Sequence, residues 1–242
     1  MNLIIDEGNT RIKLAVFKNF QLVELEYTTL EKALENMFEL KNKYSITSII
    51  VSSVTDKVVV LIKHLEVKNT YVLSHKLDFP FTNLYKTPET LGVDRLALVS
   101  SAYYQYTNEN SLMIDVGTCI TYDFLDKQGN YFGGAITPGM QMRLDAMHQL
   151  TEKLPQFKIK ETSYHHIGSS TELSMLSGAV NGTIFEINGF IKKYKDKDPQ
   201  LNVILSGGDA NFLFKNLKNS IFVNPNFLLE GLNHILAYQL EK

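Results

Sequence analysis

The sequence is poor in the features that hold polyanions, membranes or disulfides. Its 24 Lys and Arg are outnumbered by 26 Asp and Glu, for a net charge of −2. No overall basic field is available to a polyanion, which argues against nucleic acid as a partner. The single cysteine, Cys119, excludes an internal disulfide and fits a reducing compartment. No apolar run approaches the roughly 20 residues of a membrane span. The opening Met1-Asn2-Leu3-Ile4-Ile5-Asp6 lacks a basic leader segment and reaches a carboxylate early, so a cytoplasmic location is expected. Gly-Lys-Ser/Thr occurs nowhere, so there is no P-loop, and the six-residue dinucleotide fingerprint is missing too. What remains is ordinary for a globular chain: 242 residues, 44% hydrophobic and 21% charged, enough for one large domain or two small ones.

The positive signal is a duplication. Leu3-Ile4-Ile5-Asp6-Glu7-Gly8-Asn9-Thr10 precedes the alternating run Ile12–Phe17. Leu112-Met113-Ile114-Asp115-Val116-Gly117-Thr118 precedes Ile120–Phe124. In both, an apolar strand ends on a carboxylate, a glycine follows two residues later, and a second strand turns back. A repeat of this length governs the fold and predicts two similar lobes with a site between them. The boundary falls at the polar segment 107–111, giving lobes of 1–108 and 109–242.

Within the first lobe, strands are expected over 2–6, 11–17 and 21–29, with Val23, Leu25 and Tyr27 on one face. A helix is expected over 30–44, a buried strand over 46–54, and a strand over 70–73. Val58, Leu61, Ile62 and Leu65 fit a short helix, with strand as the alternative. Residues 79–94 form a long irregular connection, a kind of segment that is often functional. Residues 95–106 form an amphipathic helix. The second lobe repeats the plan with strands at 112–115, 120–125, 131–136, 202–205 and 221–223. Its helices fall at 140–150, 171–193, 211–217 and 228–240. Gly178 and Gly182 inside the longest helix are expected to permit close packing.

An Asp-x-Gly turn after an apolar strand offers backbone amides to phosphate oxygens and a carboxylate to a cation. Ser206-Gly207-Gly208-Asp209-Ala210 lies between a strand and a helix, where sheet proteins place nucleotides. Asp94-Arg95 reads either as a functional pair or as the first-turn pair of the helix that follows. His165-His166 reads as a loop pair, Cys119 as a small buried residue, and Tyr103-Tyr104-x-Tyr106 as helix packing or a subunit contact.

Together these residues resemble the acetate/sugar kinase, Hsp70 and actin superfamily. The ordered set is more specific. It comprises Asp6-x-Gly8-Asn9-Thr10, Pro88-x-x-Leu91-Gly92-x-Asp94-Arg95, Asp115-x-Gly117-Thr118-x-x-Thr121, Gly133-Gly134-x-Ile136-x-Pro138-Gly139, Thr171-Glu172 with Gly178, and Gly207-Gly208-Asp209-Ala210. It is similar to type III pantothenate kinase over nearly the whole chain. The resemblance implies an α/β protein of two duplicated ribonuclease-H-like lobes with mixed sheets, and ATP in the cleft between them. It implies transfer of phosphate from ATP to pantothenate, the first step towards coenzyme A, with Mg²⁺, a monovalent cation (K⁺ or NH₄⁺) and a homodimer. By position, Asp6, Glu7, Gly8, Asn9, Thr10, Arg11, Ile12, Lys13 and Thr118 would contact ATP. Asp115 would hold the monovalent cation. Tyr85, Gly92, Val93, Asp94, Arg95 and Thr171 would face pantothenate, with Asp94 as general base. Glu7 stands where an aliphatic residue is common, so its carboxylate either points away from the phosphates or helps bind Mg²⁺. The rival readings are a kinase of the same superfamily acting on a sugar or carboxylate, and a nucleotide-binding regulator without catalysis.

Overall fold

The structure, a computed structural model, describes residues 1–8, 11–53, 55–217 and 221–242. The chain divides into two compact units, Met1–Thr107 with Asn226–Lys242, and Asn108–Pro225.

The first unit is built on the sheet β3-β2-β1-β4-β5. β1 (Asn2–Glu7), β2 (Ile12–Lys18) and β3 (Gln21–Thr28) form an antiparallel meander, and β4 (Ser48–Ser53) and β5 (Asn69–Val72) add in parallel. Leu3, Ile4 and Ile5 of β1 are all fully buried, as expected of a strand covered on both faces. One face carries α1 (Leu30–Lys43) and α2 (Lys57–Ile62), whose Ala33, Met37, Leu40, Val58 and Ile62 join a core with Leu3, Ile5, Leu14 and Val51. The helical alternative for 58–65 therefore holds, continued as a 3₁₀ turn over Lys63–Leu65. β3 forms where expected. It is an edge strand, and Val23 and Tyr27 are 44% and 52% exposed, so its alternation does not mark a core face.

The connection after β5 contains only the short β6 (Thr82–Asn83) and a 3₁₀ turn at Pro88–Thr90. It leads into α3 (Val93–Gln105), where Arg95 to Ala102 are all buried. α3 lies against α7 (Phe227–Leu240) so closely that a Cβ added to Gly231 would stand 1.8 Å from the Ala97 carbonyl oxygen. This packing corrects the expected boundary: the C-terminal helix belongs to the first unit, not to the lobe 109–242. Tyr104 stacks on His234 of α7, the helix-packing reading of that tyrosine cluster.

The second unit repeats the order as β11-β10-β7-β8-β9. β7 (Ser111–Val116), β8 (Cys119–Leu125) and β9 (Asn130–Pro138) are antiparallel, and β10 (Asn202–Ser206) and β11 (Phe222–Val223) are parallel. α4 (Met140–Gln149), α5 (Thr171–Lys195) and the short α6 (Ala210–Phe214) complete it. Val180, Ile184, Ile187 and Ile191 of α5 meet Leu112, Ile114, Val203 and Leu205 in one core. Gly178 and Gly182 do not serve helix packing as expected. No atom of the described residues lies within 4 Å of a Cβ placed on Gly178, and at Gly182 only Arg143 Nη1 does, at 4.0 Å. No helix among the described residues is long and apolar enough to cross a membrane.

Candidate active site

Each unit contributes its own hairpin turn. In the first, β1 ends at Glu7 and the Gly8 amide donates to the Arg11 carbonyl at 3.1 Å. Asn9 and Thr10 lie outside the described residues. Asp6 stands opposite Lys13 across the ladder, and their side chains pair at 3.3 Å. Burial pushes the Asp6 carboxyl above its ordinary range, and Lys13 opposes that shift without cancelling it. Arg11 lies over the Tyr27 ring at 4.4 Å. A cavity of about 320 Å³ opens beside the turn, with Gly8, Arg11, Ile12, Thr55 and Lys57 on its walls.

The Glu7 side chain is turned into the protein. It accepts hydrogen bonds from Ser53 and Thr55 and, at 3.4 Å, from the Val58 amide. Only 5% of the residue is exposed. Its carboxylate thus ties β1 to the loop after β4, which answers the choice left open by the sequence.

The same unit gathers Tyr85, Gly92, Val93, Asp94 and Arg95. Gly92 caps α3, and Asp94 and Arg95 occupy its first turn. The Arg95 amide donates to Asp94 Oδ1 at 2.8 Å. A Cβ on Gly92 would stand 2.5 Å from that same oxygen, so glycine is what lets the carboxylate sit there. Arg95 is only 3% exposed, and its guanidinium lies over the Tyr85 ring at 5.5 Å.

In the second unit the Gly117 amide donates to the Cys119 carbonyl at 2.9 Å, closing a tighter turn around Thr118. Thr118 is exposed there, and so is Cys119, against the expectation of burial. Asp115 faces Thr121 across the ladder. The Thr121 hydroxyl oxygen is buried and has no hydrogen-bond partner. Two glycines hold the turn from outside. The Gly139 amide donates to the Thr118 carbonyl at 3.0 Å, and a Cβ on Gly139 would fall 2.1 Å from the Gly117 oxygen. Gly207 has φ +98°, and its Cβ would fall 2.3 Å from the Val116 oxygen. The Ser206-Gly207-Gly208-Asp209 turn thus lies against the end of β7. The Asp209 amide donates to Val116, and burial, with help from Glu161, raises the Asp209 carboxyl.

Thr171 is the exposed first residue of α5, just after Ser170, whose side chain caps the helix by accepting from the Leu173 amide at 3.2 Å. Among the described residues no group of three or more His, Cys, Asp or Glu is placed to hold a metal ion, which leaves His165-His166 as a loop pair. Sequence reasoning missed Tyr27 and Lys57 beside the first turn, and Arg143 and Glu186 behind the second. Only strand pairing and helix packing bring these residues to the turns.

Two copies of one sheet order, each ending in a glycine-closed turn beside a carboxylate, define a duplicated ribonuclease-H-like α/β fold. Solved structures agree on the fold. A candidate Baf family transcriptional activator from Campylobacter jejuni matches with a TM-score of 0.61 at 20% identity, over 99% of this chain and all of that one. A ROK hexokinase from Thermus thermophilus matches with a TM-score of 0.53 at 11% identity, over 99% of both chains. The sequence profile of type III pantothenate kinase matches residues 2–193. The type III pantothenate kinase of Christiangramia forsetii is 47% identical over 244 residues, covering 98% of each chain. The chain belongs to the type III pantothenate kinase family.

Proposed function

We propose that this chain moves the γ-phosphoryl group of ATP to the primary hydroxyl of pantothenate, the first step of coenzyme A biosynthesis. The observation that carries the reading is the pair of glycine-closed turns, one in each copy of the fold, in a chain whose family match spans both. In phosphoryl transfer the protein mainly positions reactants and offsets charge. Asp6, Gly8, Asn9, Thr10, Arg11, Ile12 and Lys13 are assigned to the phosphates of ATP, and Thr118 to ATP from the second copy. Mg²⁺, bound with the nucleotide, would supply positive charge to its phosphates.

Asp94 acts on the acceptor, with Tyr85, Gly92, Val93, Arg95 and Thr171 as the pantothenate contacts. The alcohol oxygen bonds to the γ-phosphorus, the bond from that phosphorus to the bridging oxygen breaks, and ADP leaves. The hydroxyl proton passes to the Asp94 carboxylate. An ordinary aspartate titrates near 4. Asp94 therefore chiefly orients the alcohol and takes its proton late.

The monovalent cation is assigned to Asp115. The buried, unpartnered Thr121 hydroxyl standing opposite it supports that assignment, because oxygen-only donors suit a hard cation. When bound, the cation supplies positive charge next to the second turn. A second copy of the chain is assigned to the groove of about 330 Å³ along α5, lined by His166, Gly178, Gly182 and Phe185. Phe185 is 61% exposed beside that groove. A single-chain mass by light scattering would remove this part of the reading. The single cysteine and the metabolic role support a cytoplasmic location.

The test is coupled ADP release from the purified chain with ATP and Mg²⁺, with and without pantothenate. ADP is expected only with pantothenate, and Asp94→Asn is expected to lower kcat by about 10²–10⁴-fold. Release with a sugar or carboxylate instead would replace the acceptor. ATP binding with no acceptor at all would establish the regulator.

A further inference from the structure

Behind the second turn four elements meet on one carboxylate. Glu186 of α5 accepts from Tyr122 of β8 at 2.9 Å and from Thr137 of β9 at 2.7 Å, both at Oε1. Its Oε2 takes Arg143 Nη2 of α4 at 2.6 Å. The same guanidinium donates through Nε to the Pro138 carbonyl at 2.9 Å. Pro138 is the last residue of β9, and Gly139 after it is bonded to Thr118. A continuous set of contacts therefore runs Glu186, Arg143, Pro138, Gly139, Thr118.

Stability alone is a poor reason for this arrangement. Both side chains of the Glu186–Arg143 pair remain about one-fifth exposed, at 23% and 22%. Pairs with that access to water add about 0–1 kcal/mol. Burial pushes the Glu186 carboxyl up, but the bonds from Thr137, Arg143 and Tyr122 outweigh it and hold the group ionised. The acceptor is thus saturated by donors from three other elements, and each donor fixes its neighbour's direction. The guanidinium is a planar fork, so engaging Glu186 with one nitrogen sets where Nε meets Pro138.

We propose that Glu186 is a positioning residue for the nucleotide: through Arg143 it sets the Pro138-Gly139 corner, which fixes the Gly117-Thr118 turn for ATP. The inference rests on the assignment of Thr118 to ATP made above. It adds a residue that touches neither substrate and that no motif marks.

The test compares Glu186→Gln and Arg143→Lys with the wild type by steady-state kinetics and by calorimetric ATP binding. The lysine ammonium has three donors on one nitrogen and lacks the two-nitrogen fork that spans Pro138 and Glu186. The KM and the Kd for ATP are expected to rise about five- to twenty-fold, while the KM for pantothenate stays within twofold and the melting temperature falls little. Glu186→Asp, which keeps the charge but shortens the reach, is expected to fall between. Thr137→Val removes one bond only and, at about two- to threefold, serves if the stronger variants do not fold. An unchanged ATP constant, or equal shifts for both substrates, overturns the proposal. A wild type that binds ATP but does not phosphorylate pantothenate refutes the acceptor assignment instead, and the ATP Kd of the variants still decides the role of Glu186.

Discussion

The two hairpin turns descend from one pattern but are held in place by different means. The first is wide, from Gly8 to Arg11, and a Cβ on Gly8 would meet only the Arg11 oxygen at 3.4 Å. Its charge is internal, because Asp6 is paired with Lys13. The second is tight and buttressed, with Gly139 and Gly207 both too close for a side chain. Its Asp115 faces not a lysine but Thr121, whose hydroxyl is unpartnered. Lys13 and Thr121 hold the same place in the two copies. In the first copy a covalently attached ammonium stands opposite the aspartate. In the second, a cation from solution is proposed for that place. Duplication thus kept the backbone plan and changed the residue opposite the carboxylate.

The sharpest way to break this comparison is to add one methyl group to the first turn and one to the buttress of the second. Gly207→Ala combines overpacking against Val116 with a left-handed backbone, and is expected to cost about 3 kcal/mol. Gly8→Ala is expected to cost under about 1 kcal/mol, since its Cβ meets one atom at near-contact distance. Urea unfolding of both variants measures the gap, and equal losses would mean that the second turn is not specially buttressed.

Next in size is the exchange of compensating groups. Thr121→Lys should supply in the second copy what Lys13 supplies in the first. For the wild type, replacing K⁺ by choline is expected to weaken ATP binding about tenfold and lower the melting temperature, taking one charge contact at about 1.5 kcal/mol. For Thr121→Lys both responses should vanish. A variant that still responds to K⁺ like the wild type would separate Thr121 from the cation.

Much of this was readable from the chain alone, and the failures share a cause. The hairpins and the parallel strands were legible because burial on both faces imposes continuous apolar runs, as at Leu3-Ile4-Ile5. β3 was legible as a strand, but alternation on an edge strand does not say which face is covered. α7 was assigned to the wrong unit because sequence order does not reveal that Gly231 lets it lie on Ala97. Glu7 stood undecided until Ser53 and Thr55, some 46 and 48 positions away, appeared as its partners. Thr121 was visible as part of a motif, but its lack of a partner is a property of packing. Glu186 carried no signal at all, since its three donors come from three other elements.

The smallest effect tests whether the first turn is strained by its own charge. The folded protein raises the Asp6 carboxyl above its ordinary 3.8, because burial outweighs the help from Lys13. A raised carboxyl binds its proton more tightly folded than unfolded. Its contribution to stability is therefore full below the unfolded value and is lost as pH rises through the folded one. At pH 7 the raised Asp6 carboxyl is a net cost to folding, in keeping with the place proposed for it at the phosphates of ATP. Asp6→Asn removes that cost, so the variant is expected to melt a few degrees above the wild type at pH 7. The advantage should shrink towards zero near pH 3, where Asp6 is protonated in both states. Nucleotide affinity should fall at the same time, which is the signature of a group kept for function. A variant less stable than the wild type at pH 7 would mean that the bond to Lys13 outweighs burial. The two turns would then resemble each other, each carboxylate satisfied by the cation opposite it.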